Sequence, residues 1–461
     1  MKSTDVRVWS IRQNKSATKP SYEVRWKVSG QPFSRTRRTK ALADAFRSQL
    51  VRAARGGEEF DTESGLPDSM VEKVEAPPAL TWYAFALKYL GMKWPHAAPK
   101  HRDGINEALT AVTMMMLDER ADRPPAALLR EALRHWAFVL PGPLEREVPT
   151  HIGNALHWVA KASMPVASLK DPVLVRSVLD ALKLKLDGTA AAAETVRRKK
   201  NTFVNALQYA MDMGEFSENP MSSVKWQKPK VVKEVDPRVV ANPRQMNSIL
   251  DSCTYVGSYR RARGRRLVAF FGGIYFGAFR PAESAAVSVL DLRLPDEGWG
   301  LANLHRTRPS AGKRWTDNGE THDDRGLKNR PEEEVRPVPI PPQLVTIYKW
   351  SIDTFGTADD GRVTFNERGG VVGSSTYDRV WHEARELALP PEQVNSPLAR
   401  RPYDARHSAL TGWLNAGLDP VEAAWRAGNS VEVLLARYAK CMDGRREIGN
   451  SRIEGFLHEY E

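Results

Sequence analysis

Hydrophobic and polar positions change their period several times along this 461-residue chain. Tyr22, Val24, Trp26 and Val28 alternate strictly with Glu23, Arg25 and Lys27, the period of two that marks a strand with one buried face. Val6, Val8 and Trp9 predict a short strand before it, and Ser29-Gly-Gln31 predicts a turn into a third strand carrying Phe33, Arg35 and Arg37. Over residues 40–55 the period lengthens to that of an amphipathic helix, with Ala43, Phe46 and Leu50 on one face. Residues 1–60 are therefore expected as a β-β-β-α unit. One face of its sheet packs on the helix, and the other is expected to present Arg25, Lys27, Arg35 and Arg37.

Residues 61–79 carry Pro, Gly, Ser and acidic residues without periodicity and read as a linker. Residues 80–226 follow a helical period, in segments that end at Pro141, Pro165 and Pro220. The clearest begins near Thr195, with Phe203, Leu207 and Ala210 at helical spacing and Arg197-Arg-Lys-Lys200 at its start. That cluster is either a solvated helix end or a set of phosphate contacts through Arg197, Arg198, Lys199 and Lys200. Residues 227–241 form a second linker with the basic run Lys228-Pro-Lys-Val-Val-Lys233.

Residues 242–461 mix helical and strand signals. Leu267 to Phe276 is a nearly all-apolar helix that Gly277 is placed to stop, and Pro281 suits the first position of the next helix, with Glu283 in its first turn. Leu301–Leu304 and Val335–Ile340 predict the two strands of a hairpin. Pro402 breaks any earlier helix and Asp404 is placed to cap one running to Ala416, with Leu410, Trp413 and Leu414 buried. Asp419-Pro-Val-Glu422 has the form of a capping box, closed by Gly428. Ser430 caps a helix with Val431, Leu434, Leu435 and Tyr438 on one face. Ile453, Phe456, Leu457 and Tyr460 line one face of a short tail helix. The fold class expected is a multidomain protein, mainly α with small β elements, and no internal repeat is found.

Charge sharpens this picture. The formal net charge is +12, and residues 1–56 hold fourteen Lys and Arg against three Asp and Glu. Nearly the whole excess lies in the sheet-and-helix unit, as expected for a module that binds DNA or RNA ahead of a membrane. The two cysteines, Cys253 and Cys441, have no metal or disulfide spacing, which suits a reducing cytoplasm. No apolar signal core opens the chain and no run approaches a membrane span.

Four short motifs then fall in a fixed order. They are Gly277-Ala-Phe-Arg-Pro-Ala-Glu283, Arg401-Pro-Tyr-Asp-Ala-Arg-His-Ser-Ala-Leu410, Gly428-Asn-Ser430 and Ala436-Arg-Tyr-Ala-Lys440. Their order and spacing resemble the signature of the tyrosine recombinases of the phage-integrase type, over residues 242–461. The resemblance implies that Arg280 and Arg406 clamp the scissile phosphate, with Glu283 supporting the first, and that Tyr438 is the nucleophile. It implies a lysine on the hairpin that protonates the leaving 5′ oxygen. Lys328, just before the second strand, is favoured over Lys313, although the segment between the strands is longer than the family's usual turn. Two positions depart from the pattern, with Tyr403 where the family has a histidine and Asn429 where it has a histidine or tryptophan. A phenol is a poor general base near neutral pH and an amide cannot titrate. His407 faces differently along its helix from Arg406 and reads as structural.

By the same resemblance residues 1–60 correspond to an arm-site-binding domain, 80–226 to a helical core-binding domain and 242–461 to the catalytic domain. The function implied is site-specific integration and excision of a phage or other mobile element through a 3′-phosphotyrosine intermediate. The partners implied are double-stranded attachment sites, a homotetramer on DNA and an accessory bending or excision factor. No metal, no other cofactor and no membrane is implied, and the location expected is cytoplasmic. Two rivals stand beside it. One is a DNA-binding protein of this fold that has lost cutting, and the other is a type IB topoisomerase-like enzyme.

Overall fold

The structure, a computed structural model, describes residues 2–14, 21–70, 79–142, 145–185, 187–227, 229–230, 234–257, 262–328, 330–442 and 445–459. Lys228 and 231–233 of the basic linker, and Tyr460 of the tail, lie outside them. The chain divides into two compact units, Met1–Ala79 and Leu80–Glu461. The described residues are mainly helical, with small sheets.

The first unit contains β1 (Lys2–Ser3), β2 (Val6–Val8), β3 (Arg12–Asn14), β4 (Ser21–Val28), β5 (Gln31–Arg37), α1 (Lys40–Arg55) and β6 (Phe60–Asp61). β5 runs along one edge of the central β4, while β2 and β3 follow one another along its other edge. Val24, Trp26 and Val28 are buried against Ala43, Phe46 and Leu50 of α1, as the alternation requires. Thr39 caps that helix by accepting from Leu42 N–H.

The basic residues of this sheet divide between its two faces, contrary to the expectation that four of them share one. The turn at Ser29 and Gly30, both at positive φ, pairs Val28 with Gln31, and this two-residue connection sets the parity of every later pair. Arg35 then lies opposite Val24 and Arg37 opposite Tyr22. Cross-strand partners share a face, so both arginines project on the helix side. Their guanidinium carbons lie 5.8 and 4.5 Å from the centroid of the Phe46 ring, within cation–π range. Arg25 and Lys27 remain on the open face. Arg7, opposite Lys27, and Arg12, opposite Glu23, join them there.

Residues 61–70 belong to this unit and are not the linker they were expected to be. Phe60 and Leu66 are buried in its core, and the Trp26 indole N–H donates to the Gly65 carbonyl. A buried indole needs such an acceptor. Gly65 sits at φ +71° with the Phe33 ring against it, leaving no room for a Cβ.

In the second unit α2 (Trp82–Lys93), α3 (Pro99–Met115), α4 (Ala126–Ala132), α5 (Thr150–Ala162), α6 (Pro172–Ala181) and α7 (Ala193–Asp212) enclose one core built on Trp82, Phe85, Leu109, Val159 and Phe203. The basic cluster at the start of α7 is not uniform. Lys199 is buried, donates to the Leu184 carbonyl at 2.9 Å and pairs with Glu107 at 2.9 Å. It is therefore a structural cation with no face left for DNA, which corrects its place among the expected phosphate contacts. Arg197 is exposed and forked on Glu194 one turn back. Arg198 is exposed and Lys200 half-buried, with its ammonium 5.8 Å from a Trp226 ring centroid.

The remaining elements are α8 (Pro243–Ser252), α9 (Ala262–Phe276), α10 (Pro281–Ser284), β7 (Leu292–Arg293), β8 (Gly300–Leu304), β9 (Arg306–Thr307), β10 (Arg325–Gly326), β11 (Arg336–Ile340), α11 (Pro342–Phe355), α12 (Ser374–Ala388), α13 (Pro391–Val394), α14 (Pro402–Asn415), α15 (Pro420–Ala427), α16 (Val431–Tyr438) and α17 (Arg445–His458). The antiparallel sheet runs β11-β8-β7, and the small β9-β10 pair sits beyond it. The long segment between β9 and β10 is tied to the helical core by Trp315, which is buried among the α2–α7 side chains. Buried Arg102 donates to the Trp315 carbonyl at 2.8 Å and forks onto Asp317 at 2.7 and 3.1 Å. Pro402 begins α14 and does not merely end what precedes it. Asp404 accordingly falls at the third helical position, where its carboxylate accepts the Arg401 N–H at 2.8 Å. On α17, Ile453, Phe456 and Leu457 are exposed. No helix among the described residues is long and apolar enough to cross a membrane.

Candidate active site

Glu283 is the centre of the site. Pro281 fixes the first position of α10, which makes Arg280 the cap and places Glu283 in the first turn. Glu283 Oε2 accepts the Arg280 backbone N–H at 2.8 Å, and Oε1 accepts Arg280 Nη1 at 2.6 Å. Arg336, on β11, forks onto the same carboxylate from the other side at 3.2 and 2.8 Å. Glu283 and Arg336 are 0 and 1% exposed, whereas Arg280 keeps 20% of its side chain open. Burial alone would raise the Glu283 carboxyl, but Arg336, Arg280 and Arg406 outweigh it and hold the group at about 2. The carboxylate is thus charged at any physiological pH and fixes one face of the Arg280 fork.

The second support is the C-terminus of α15, whose last carbonyls have no partners within the helix. Arg280 Nη2 donates to the Gly428 carbonyl at 2.6 Å, and Arg406 Nη2 donates to the Ala427 carbonyl at 2.6 Å. Arg406 Nη1 donates to the Ala278 carbonyl. Cations are favoured at this end of a helix dipole. Gly428 ends the helix at φ +63°, and a Cβ there would overlap Arg336 Nη1 and meet Arg280 Nη1 at 3.2 Å. Only glycine fits both the backbone and the arginine packing. Ala278 is held at φ +49°, an unfavourable conformation for a residue with a Cβ, and its carbonyl is turned onto Arg406.

Asn429 follows Gly428, and its Oδ1 accepts from Arg280 Nη2 at 3.1 Å. That contact leaves its Nδ2 as a donor. Ser430 caps α16 by accepting the Val433 N–H at 3.2 Å, and α16 ends at Tyr438. Tyr438 is 1% exposed and its Oη lies 2.8 Å from His407 Nδ1. Tyr403, one turn earlier on α14, packs edge-on against His407 with ring centroids 5.1 Å apart. Burial pushes the Tyr438 phenol up, against the opposing pull of Arg406. Burial, Arg401, Arg406 and Arg437 together draw the His407 imidazole down to about 4, so it is neutral at pH 7.

The fold therefore brings together Arg280, Glu283, Tyr403, Arg406, Asn429 and Tyr438 from three separate stretches of chain. Around one carboxylate stand three guanidinium groups, and this surplus of positive charge suits an anion such as a phosphodiester. Lys328 stands apart. Its neighbour Leu327 is buried beneath the sheet and Lys328 itself is exposed. Lys313 is exposed on the segment anchored by Trp315. Among the described residues, neither lysine is hydrogen-bonded or ion-paired to the arginine cluster. Among the described residues, the basic residues of α7 take no part in this constellation.

Two members escaped the sequence. Arg336 shares the inward face of β11 with Val338 and Ile340, and an arginine in register with two core residues is itself the signal of a buried charge in need of a partner. His407 was read as structural, yet it touches the Tyr438 oxygen. Nothing local announces that contact, because it depends on how α16 crosses α14.

The chain is similar to several solved structures. One is a Tn1549 transposon integrase in complex with a circular intermediate DNA, at 16% identity over 70% of this chain and 98% of that one, with a TM-score of 0.46. Another is the XerH site-specific recombinase bound to difH substrate, at 11% identity over 81% and 95% of the two chains, TM-score 0.46. A third is a lambda integrase tetramer bound to a Holliday junction, at 10% identity over 92% and 93%, TM-score 0.44. No protein-family model matches the chain, and no curated protein matches it.

The depressed carboxyl at Glu283 has a consequence for stability. Its folded value of about 2 lies below the ordinary 4.5, so its stabilising contribution is complete above about pH 4.5 and is lost as pH falls toward 2. Urea unfolding at a series of pH values should show this decline, and Glu283→Gln should lower stability at pH 7 while flattening the acid limb. Parallel limbs in the two proteins would detach Glu283 from the acid response.

Proposed function

We propose that this chain is a tyrosine recombinase that cuts and rejoins DNA through a 3′-phosphotyrosine bond, as the integrase of a phage or other mobile element. The observation that carries the reading is the convergence of Arg280, Arg406 and Tyr438 on one site, with Asn429 hydrogen-bonded to the first arginine. Attack on a phosphodiester builds charge on its nonbridging oxygens, and two fork-shaped guanidinium groups stabilise it. Tyr438 Oη attacks in line and keeps the bond energy in a phosphotyrosine linkage. Lys328 protonates the leaving 5′ oxygen. Lys328 is exposed on the segment after β10, and the role assigned to it requires that segment to meet the DNA at the cleavage point.

On this reading residues 80–226 and 242–461 grip the core site, and residues 1–60 bind a separate arm site through the open face of their sheet. The exposed apolar residues of α17 serve assembly of a homotetramer on paired sites, with an accessory DNA-bending or excision factor setting the direction. The protein acts in the cytoplasm on double-stranded attachment sites.

The chemistry is tested on nicked duplexes drawn from a random-sequence pool by covalent capture on the wild-type protein. Arg280→Ala and Arg406→Ala should each slow single-turnover cleavage of such a duplex by about 10²–10³-fold, the usual cost of one transition-state donor, ~3–4 kcal/mol. Cleavage at the wild-type rate by either variant would return that arginine to a purely structural role.

The arm-binding role has its own test in the two faces of the sheet. Charge reversal at Arg7, Arg12, Arg25 and Lys27 should weaken binding of arm-site DNA and lower the salt slope by about 0.9 for each lost phosphate contact. Reversal of Arg35 and Arg37 should leave that slope unchanged. A slope that responds to Arg35 and Arg37 instead would place the DNA on the helix side.

A further inference from the structure

A buried phenol does not ionise on its own near neutral pH, and burial pushes Tyr438 well above the ordinary tyrosine range. Its oxygen can attack phosphorus only if a base takes the proton as the new bond forms. Tyr403 is another phenol and Asn429 an amide, and neither can accept that proton at neutral pH. Resting on the reading of Tyr438 as nucleophile, we propose that His407 is the general base, taking the Tyr438 proton on Nδ1 as Oη bonds to phosphorus.

Three observations support this. His407 Nδ1 lies 2.8 Å from Tyr438 Oη, within reach for direct transfer. The hydroxyl hydrogen needs an acceptor in this buried setting, and among the described residues Nδ1 is the only partner that Tyr438 Oη has. His407 is also neutral before DNA arrives. The charged and titratable groups around it are Arg401 at the cap of its helix, Tyr403 and Arg406 on that helix, and Arg437 and Tyr438 on α16, and burial with the three arginines holds the imidazole at about 4. A phosphodiester seated on Arg280 and Arg406 brings negative charge beside this field and raises the affinity of the imidazole for a proton when the proton must be taken. DNA binding thus strengthens the base it needs.

The step balances. The Oη–phosphorus bond forms, the phosphorus–O5′ bond breaks, the phenol proton passes to Nδ1 and the leaving oxygen gains a proton from the lysine. In rejoining, a 5′ hydroxyl attacks phosphorus and gives its proton to the lysine, and the departing phenolate recovers its proton from His407.

The test compares full-length wild type, His407→Asn and Lys328→Ala on a nicked duplex selected from a random pool by covalent capture on the wild-type chain. The asparagine keeps an acceptor oxygen toward Tyr438 but cannot take up a proton. His407→Asn should fold and bind the duplex as wild type does, yet form the covalent adduct about 10²-fold more slowly or worse. The acid limb of its pH–rate profile should also vanish. A second duplex carries a 5′-bridging sulfur at the captured position, a leaving group that needs no proton. It should rescue Lys328→Ala and leave His407→Asn slow. Wild-type rates in His407→Asn, or its rescue by the sulfur duplex, would overturn the proposal. Should His407→Asn not fold, ¹⁵N spectra of the wild-type imidazole at pH 7 decide. A neutral ring protonated on Nε2 is expected, and a ring protonated on Nδ1 would refute the assignment. Absence of any wild-type adduct is a separate outcome that removes the phosphotyrosine reading itself.

Discussion

A single buried carboxylate organises the candidate site. Glu283 accepts the backbone N–H and a guanidinium nitrogen of Arg280 on one side and the fork of Arg336 on the other. Leaving either cation unpaired in that interior would cost several kcal/mol, on the order of 3–5. The three side chains are therefore held as a unit, and the unit joins α10 to β11. Arg280 alone retains an open edge, so the network delivers one oriented guanidinium to the surface from a base that cannot shift.

The α15 C-terminus completes the arrangement by the opposite chemistry. Its unpaired carbonyls, together with that of Ala278, take up donors of Arg280 and Arg406, and Gly428 permits the approach because no side chain intervenes. The same glycine starts the chain toward Ser430 and α16, which carries Tyr438 onto His407. Arginine fork, helix terminus and phenol are consequently coupled through a few residues of backbone. A change at Gly428 would disturb all three, which is a stronger demand than helix termination alone makes of a glycine.

Much of this could be read from the chain and some of it could not. Strict alternation marked β4, and the apolar run from Leu267 marked the interior of α9, because each pattern has one period and one buried face. The order of Arg280, Arg406, Asn429 and Tyr438 singled out residues that the fold does gather. Tertiary geometry decided what was missed. The sides of Arg35 and Arg37 depend on the parity of a two-residue turn, which the composition of the strand does not reveal. Lys199 resembled its basic neighbours in sequence but falls on the buried face of α7, where Glu107 meets it. The length of the segment between β8 and β11 looked anomalous until Trp315 and Asp317, between β9 and β10, gave it an anchor on the helical core. His407 differs from Arg406 by one position, yet its role rests on the crossing of two helices.

The most direct measurement of the central claim is the chemical identity of the protein–DNA bond. Wild-type protein would be incubated with nicked duplexes of random sequence, and covalently attached DNA recovered under denaturing conditions and digested. Mass spectrometry of the linked peptide should then locate one nucleotide, joined through its 3′ phosphate, on Tyr438. A linkage at any other residue, a 5′ linkage, or the absence of covalent product across the pool would contradict the account.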